Sequence, residues 1–119
     1  ESQIINMHRP SGLAITGGSC PDCIVGELAT HLVVNRGFPN LGPFVSFIDR
    51  DSRLLSRIGA GRSAGLDPGQ FVSPHTIALD SHGDLYVGDV AETDWPKVFP
   101  EATMPDPLRR FQKFRRVRD

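Results

Sequence analysis

Two stretches of the sequence repeat each other and decide the fold: residues 10–16, PSGLAIT, correspond to residues 74–80, PHTIALD. Downstream of each, residues 22–28, DCIVGEL, correspond to residues 84–90, DLYVGDV. Each copy therefore contains a proline, a short apolar segment, a turn, and then an aspartate that leads into apolar residues and a Val-Gly-acidic-apolar motif. Because two linked matches occur in the same order, the chain is predicted to be a tandem repeat.

Each repeat is predicted to open with a β-hairpin. In the second repeat, residues 76–80 and 85–90 are short and rich in Ile, Leu, Val and Tyr, as strands are. They are joined through Ser81, His82 and Gly83, and Gly83 can take the positive φ that a tight turn requires. The alignment places Leu13, Ile15, Ile77 and Leu79 in the first strands, and all four are predicted to be buried.

The first repeat is predicted to continue as a four-stranded meander, with residues 44–48 and 53–58 forming a second hairpin. The second repeat supplies a third strand at residues 110–114, after which the chain ends. Residues 3–7 stand where the fourth strand of a preceding unit would lie. The linkers are rich in turn-forming residues and show no helical period, although a helix within them is not excluded.

A four-stranded sheet with apolar residues on both faces must be covered on both sides, and blades arranged around an axis provide that cover. Propellers use ~4–8 such blades, so two blades form an incomplete ring. The predicted fold class is all-β, with two four-stranded propeller blades. The predicted organisation is residues 1–9 as the last strand of a preceding blade, 10–73 as the first blade and its linker, and 74–119 as the second, C-terminal blade with a long insertion at 91–107.

Composition sets limits on function. The formal net charge of −1 gives no overall attraction to nucleic acid or to anionic lipid, so neither partner is predicted. No apolar run approaches the roughly 18 residues that a membrane span requires. The 12 glycines and 10 prolines favour turns and short elements over long helices.

Residues 71–89, FVSPHTIALDSHGDLYVGD, resemble an NHL repeat, whose pattern is a Phe, a Pro-His or Pro-x pair, a strand ending in Asp, a Gly turn, a Tyr-Val strand and an acidic residue. Residues 110–114, RFQKF, resemble the third strand of that repeat, and the resemblance extends from Asn6 to Val117. The chain looks most similar to the last two blades of a six-bladed bacterial propeller related to the lyase domain of peptidylglycine α-amidating enzymes. The GLDPGQF stretch at residues 65–71 fits that C-terminal position.

The resemblance implies a chemistry. Amidating lyases cleave a peptidyl-α-hydroxyglycine into a peptide amide and glyoxylate at a zinc held by three histidines, each from a Pro-His motif that opens the inner strand of a different blade. Here only His75 stands in such a motif, because the aligned residue of the first repeat is Ser11. The other two ligands would come from blades outside this chain. Thr76 replaces the acidic residue that the family places after this histidine, which leaves a calcium site without that ligand.

Two functions stay open for the complete ring: a zinc-dependent carbon–nitrogen lyase of the amidating type, or a non-catalytic scaffold that binds a protein or a small molecule. No segment matches the catalytic Tyr or Arg of the lyases, so the catalytic residues are unknown, and this chain alone is not expected to be an enzyme. The expected partners are the remaining blades or further copies of the chain, and a peptide or small-molecule substrate. The resemblance favours a secreted or periplasmic location.

For His75, the alternative to a zinc ligand is a hydrogen bond to backbone where two blades meet. His82 is predicted to be a surface turn residue, and His8 and His31 to be structural. Cys20 and Cys23 have the spacing of a redox pair or half a zinc site, but they fall in a hairpin turn, where a local structural role is favoured and the redox state stays open.

Glu27 and Asp89 end the second strand of each repeat, and this recurrence predicts a structural hydrogen bond to neighbouring loop backbone. Trp95 is predicted to be either a packing anchor or a contact for a partner. A cluster of basic residues lies near the C-terminus: Arg109, Arg110, Lys113, Arg115, Arg116 and Arg118. The favoured interpretation is that they lie on a solvated outer strand, and the alternative is that they bind phosphate.

Overall fold

Two antiparallel sheets form the framework of the protein, as the repeat predicts. The structure is a computed structural model, and it describes residues 7–35, 38 and 41–117. The elements are β1 (Pro10–Ile15), β2 (Cys23–Glu27), a 3-10 turn (Val33–Asn35), β3 (Phe44–Ile48), β4 (Leu54–Ile58), β5 (Pro74–Leu79), β6 (Leu85–Asp89), α1 (Ala91–Val98) and β7 (Phe111–Phe114).

The first sheet is a four-stranded meander in the order β1-β2-β3-β4. Leu13 pairs with Val25 and Ala14 pairs with Ile24, so adjacent residues of β1 lie on opposite faces. The predicted meander of the first repeat is confirmed, and its strand bounds agree with the prediction to within a residue at β3 and β4.

The second sheet has the order β5-β6-β7. Thr76 pairs with Gly88 and Ile77 with Val87, the arrangement predicted for its opening hairpin. Among the described residues no fourth strand pairs with β7. The fourth strand predicted for a preceding unit, at residues 3–7, lies outside the described residues except for Met7.

We call the end of both sheets where β1 and β5 begin the leading end, and the opposite end, which carries the β1–β2 and β5–β6 turns, the turn end. At the leading end Pro10 pairs with Glu27, and Pro74 pairs with Asp89. The two acidic residues therefore occupy equivalent positions in the two sheets.

A helix occupies part of the linker in which no helical period was apparent. Ala91, Trp95 and Val98 recur at helical spacing and are buried on one face of α1. Glu92 and Asp94 lie in the first turn and Lys97 in the last, which complements the helix dipole. With Ala29 and Val72 these apolar residues form a small core at the leading end. No helix among the described residues has the length and apolar character to cross a membrane.

The main core lies between the two sheets. Ile24 and Val45 of the first sheet pack with Ile77 and Val87 of the second, and Phe71 joins them from the segment before β5. Ala14 also faces this core. Residues more than 30 positions apart in sequence therefore hold the sheets together.

The burial predicted for β1 is wrong. Leu13 is 55% exposed and Ile15 is 59% exposed, whereas Ile77 is buried as predicted and Leu79 is only partly buried against the core. The reason is that the two sheets approach closely at β1, so only small residues, Gly12 and Ala14, fit on its inner face. Leu13 and Ile15, which alternate with them, therefore lie on the outer face.

Candidate functional site

The backbones of the two sheets come closest where β1 meets β5. A Cβ atom built on Gly12 would lie 2.0 Å from the carbonyl oxygen of His75, and one built on Gly26 would lie 2.8 Å from the carbonyl oxygen of Pro74. Neither position can hold a side chain unless the backbone shifts. Gly26, which precedes Glu27 in the repeated Val-Gly-acidic motif, therefore allows the two sheets to pack closely.

Ser11, which the repeat aligns with His75, holds this contact. Its hydroxyl lies 3.1 Å from the carbonyl oxygen of Pro74, 3.3 Å from that of His75 and 3.2 Å from that of Gly26. A hydroxyl donates one hydrogen at a time, so it can satisfy one of these carbonyls in each orientation. Where the second repeat has His75, the first repeat therefore has a serine that hydrogen-bonds to the neighbouring sheet.

His75 itself is exposed at the start of β5. Its backbone takes part in the sheet contact, and its side chain reaches solvent at the leading end. Within the described part of the chain, no group of three His, Cys, Asp or Glu residues is placed to hold a metal ion. These residues therefore supply one candidate imidazole and no complete zinc ligand set.

The predicted structural role of the two repeated acidic residues is confirmed. Glu27 is fully buried, and its Oε1 accepts a hydrogen bond of 2.7 Å from the backbone N–H of His8. Asp89 accepts hydrogen bonds of 2.8 Å from the N–H of Val72 and 2.6 Å from that of Ser73. In both sheets the carboxylate thus fixes the segment that leads into the first strand.

The two carboxylates differ in their surroundings. Glu27 also accepts a hydrogen bond from the Ser46 hydroxyl and has the Arg57 guanidinium 3.7 Å from its Oε2. Burial raises the pKa of Asp89, and its two backbone hydrogen bonds offset that effect only in part. The ionised form of Asp89 is therefore only partly compensated in its buried position.

A polar cluster at the leading end joins the segments that follow β2 and β6. The Nε2 atom of His31 lies 3.3 Å from Oδ2 of Asp94, and the Ser73 hydroxyl donates to the same carboxylate. Ser73 Oγ also accepts a hydrogen bond of 3.2 Å from the N–H of Ala29. Burial raises the pKa of Asp94, but the hydrogen bonds from Ser73 and His31 outweigh it and hold the pKa below its usual value.

Sequence reasoning treated His31 as structural but did not find this cluster. His31 and Asp94 are 63 residues apart and belong to different repeats, so no local spacing connects them. The helical register of α1, which turns Asp94 toward Ser73, is the signal that could have suggested it.

The cysteine pair lies at the turn end, away from His75. Both cysteines are free thiols in the structure; Cys20 is exposed and Cys23 is half-buried. The Arg50 guanidinium lies 3.7 Å from the Cys20 sulfur. These positions agree with a location in a surface turn.

Three of the basic residues near the C-terminus, Arg109, Arg110 and Lys113, bind other parts of the protein. The Arg110 guanidinium lies 2.7 Å from the Glu92 carboxylate, and the Lys113 amine lies 3.1 Å from that of Asp84. Arg109 donates to backbone carbonyls at residues 66, 67 and 70. Arg118 lies outside the described residues. This pattern favours the structural interpretation of the stretch over a phosphate site.

Trp95 is a packing anchor. It is 8% exposed, its ring centroid lies 4.5 Å from that of Phe99, and its Nε1 donates a hydrogen bond of 2.9 Å to the carbonyl of Ala102. His82 is exposed in the β5–β6 turn, as predicted.

Two cavities open at opposite ends of the sheets. The larger, about 910 Å³, lies at the turn end between the sheets, where Phe47 and Ile58 face Leu85 and Phe114. The smaller, about 380 Å³, lies at the leading end between the first sheet and α1. Comparison of the chain with family models, curated proteins and solved structures finds no match.

Proposed function

We propose that the chain forms two neighbouring blades of an NHL-type β-propeller and that the completed ring is a binding scaffold. The observation that carries this proposal is the close backbone approach of β1 and β5, the first strand of each repeat. In a propeller the first strands line the axis, and the sheets diverge from there toward the rim.

The alternative for two packed sheets is a sandwich, in which the faces lie about 10 Å apart and side chains interdigitate over the whole contact. Here the sheets are too close at Gly12 for even a Cβ atom, and the close backbone contacts between the sheets are those of β1 and β2 with β5, whereas β4 and β7 make none of comparable extent. Sheets that touch at one edge and diverge at the other favour a radial arrangement.

Exposed apolar side chains on the outer faces of both sheets favour the presence of further blades that would cover them. On the first sheet, Leu13, Ile15 and Leu54 point away from the second sheet and are at least half exposed. On the second sheet, Phe111 is 57% exposed and stacks on Tyr86 with ring centroids 5.9 Å apart. Soluble proteins cover apolar faces and open strand edges, and neighbouring blades would cover both.

The assembly state tests the proposal. Light scattering after size exclusion is expected to show association of the isolated chain, either as a closed multimer such as a trimer with six blades or as aggregates. Leu13→Asp is expected to reduce association by charging the outer face, and Val34→Asp, at a 78% exposed loop position, is the control. A monomer with cooperative unfolding would refute the incomplete ring.

A zinc-dependent lyase of the amidating type is the second candidate, and the exposure of His75 at the leading end favours it. In the complete protein, His75→Ala is expected to lower bound zinc, because removing one of three ligands leaves too few for tight binding. His82→Ala, at the turn end, is the control. Unchanged zinc content by elemental analysis in His75→Ala would remove this candidate and leave the scaffold.

A further inference from the structure

The larger cavity, at the turn end, lies between the inner faces of the two sheets. Its lining residues all belong to the part of the chain that the structure describes, and its volume of about 910 Å³ falls within the range of ~300–1,000 Å³ typical of small-molecule sites. Each sheet contributes apolar residues to the walls: Ile24, Phe47 and Ile58 from the first, and Leu79, Leu85 and Phe114 from the second. Two of these side chains are buried and the others only partly so. An apolar ligand body between the sheets would remove this lining from water.

Two cations line the mouth of this cavity on the side of the second sheet. Arg115 and Arg116 directly follow β7 and are exposed. The backbone N–H of Arg116 donates a hydrogen bond of 2.9 Å to Oδ1 of Asp84, which fixes this segment against the β5–β6 turn. The Arg116 guanidinium lies over Gly83, since a Cβ atom built on that glycine would be 3.3 Å from Nη1. Because Gly83 itself lines the cavity, this positive charge lies at the site.

The carboxylates on the same side already have other partners. Asp80 accepts a hydrogen bond of 2.9 Å from the Tyr86 hydroxyl and two more from backbone N–H groups of its own turn. Oδ2 of Asp84 lies 3.1 Å from the Lys113 amine. Among residues 7–35, 38 and 41–117, no carboxylate lies at ion-pair distance from either guanidinium of the mouth. Asp22 lines the cavity from the β1–β2 turn of the first sheet, so the negative end of a ligand is favoured on the side of the second sheet.

We propose that this cavity binds a medium-chain fatty acid, a linear aliphatic chain with one terminal carboxylate. The walls extend from β4 of the first sheet to β7 of the second, a span that favours an extended chain over a compact ring. The carboxylate would stay at the mouth, where the planar Arg116 guanidinium can bind both of its oxygens and Arg115 adds a second positive charge. The site lies at the opposite end of the sheets from His75, and it does not depend on the proposed ring.

The test compares octanoate with its neutral amide, octanamide, and with acetate, which has the carboxylate without the chain. Isothermal titration calorimetry on the full chain is expected to show saturable binding of octanoate, about tenfold tighter than that of octanamide, because only the carboxylate can form charge-assisted hydrogen bonds with the guanidinium groups. Acetate is expected to show no saturable binding, because it buries no apolar chain. The proposal is overturned if octanoate does not bind in a saturable manner, or if either of the other two compounds binds as tightly.

Cys20 reports where the ligand binds. Its exposed thiol lines the cavity, and in the variant Cys23→Ser it is the only thiol of the chain. Saturating octanoate is expected to slow the alkylation of Cys20 by iodoacetamide severalfold, with half-maximal protection at the dissociation constant measured by calorimetry. Binding of octanoate that leaves the alkylation rate unchanged would place the ligand elsewhere and refute the assignment.

Variants separate the charge from the cavity. Arg116→Gln is expected to weaken octanoate about tenfold and leave octanamide unchanged, whereas Arg53→Gln, at an exposed position of the β3–β4 turn at the same end, should change neither. Leu79→Phe and Ile58→Phe, one on each wall, are each expected to narrow the cavity and weaken both compounds. If Arg53→Gln weakens octanoate as much as Arg116→Gln does, the attraction is a general charge effect and the assignment is wrong.

Discussion

The close approach of β1 to β5 can be tested with a single methyl group. In Gly12→Ala the new Cβ atom would lie 2.0 Å from the carbonyl oxygen of His75 and 2.9 Å from the backbone nitrogen of Ile77. Both atoms belong to the backbone and cannot rotate away. The sheets must therefore separate by roughly 1 Å, which in a close-packed interior forfeits contacts along the whole interface.

The size of the effect follows from three contributions. Overpacking of this kind costs about 1–3 kcal/mol. The Ser11 hydroxyl, now 3.1 Å from the Pro74 carbonyl, would lose that bond, which is worth about 0.5–1.5 kcal/mol. Replacing glycine by alanine lowers the conformational entropy of the unfolded chain, which stabilises the folded state by about 0.4–1 kcal/mol. We expect a net loss of about 0.5–4 kcal/mol in the free energy of unfolding.

Gly17→Ala is the matched control, because a Cβ atom there meets nothing within 4 Å. Urea unfolding followed by Trp95 fluorescence, at one fixed protein concentration, compares the two variants in the assembly state that the chain adopts. Equal stability of Gly12→Ala and Gly17→Ala would show that the sheets do not touch at β1 and β5, and would remove the observation on which the propeller proposal rests.

Two further predictions concern the buried carboxylates. Asp89→Asn keeps the size of the side chain but turns an amide donor toward one of two buried N–H groups, so it is expected to lower the free energy of unfolding at pH 7 by about 1–3 kcal/mol; a variant as stable as the parent in urea would contradict the role assigned to Asp89. The pKa of Asp94 is lowered in the folded protein, so its contribution to stability is present above about pH 3.8, its unfolded value, and is lost as the pH falls through the lower folded pKa. The stability difference between the parent and Asp94→Asn is therefore expected to shrink as the pH is lowered below that value. Asp51→Asn, in an exposed turn, is the control, and a difference independent of pH would contradict the inference.

The sequence by itself determined the strands and the order in which they pair. Short apolar runs separated by turn-forming residues indicate strands locally, so β3 to β7 could be located from residue pattern alone. The recurrence of an acidic residue in the two repeats also identified the structural role of Glu27 and Asp89. An acidic residue at the same position of each repeat is expected where each sheet needs an equivalent hydrogen-bond acceptor for loop backbone.

Tertiary structure alone decided which face of each strand is covered. Alternation in β1 shows that Leu13 and Ala14 lie on opposite faces, but which face meets the second sheet depends on contacts with His75 and Ile77, more than 60 residues away. The pairing of His31 with Asp94 likewise requires the two repeats to be packed together. Such contacts form between distant segments, and neither periodicity nor spacing within one segment carries information about them.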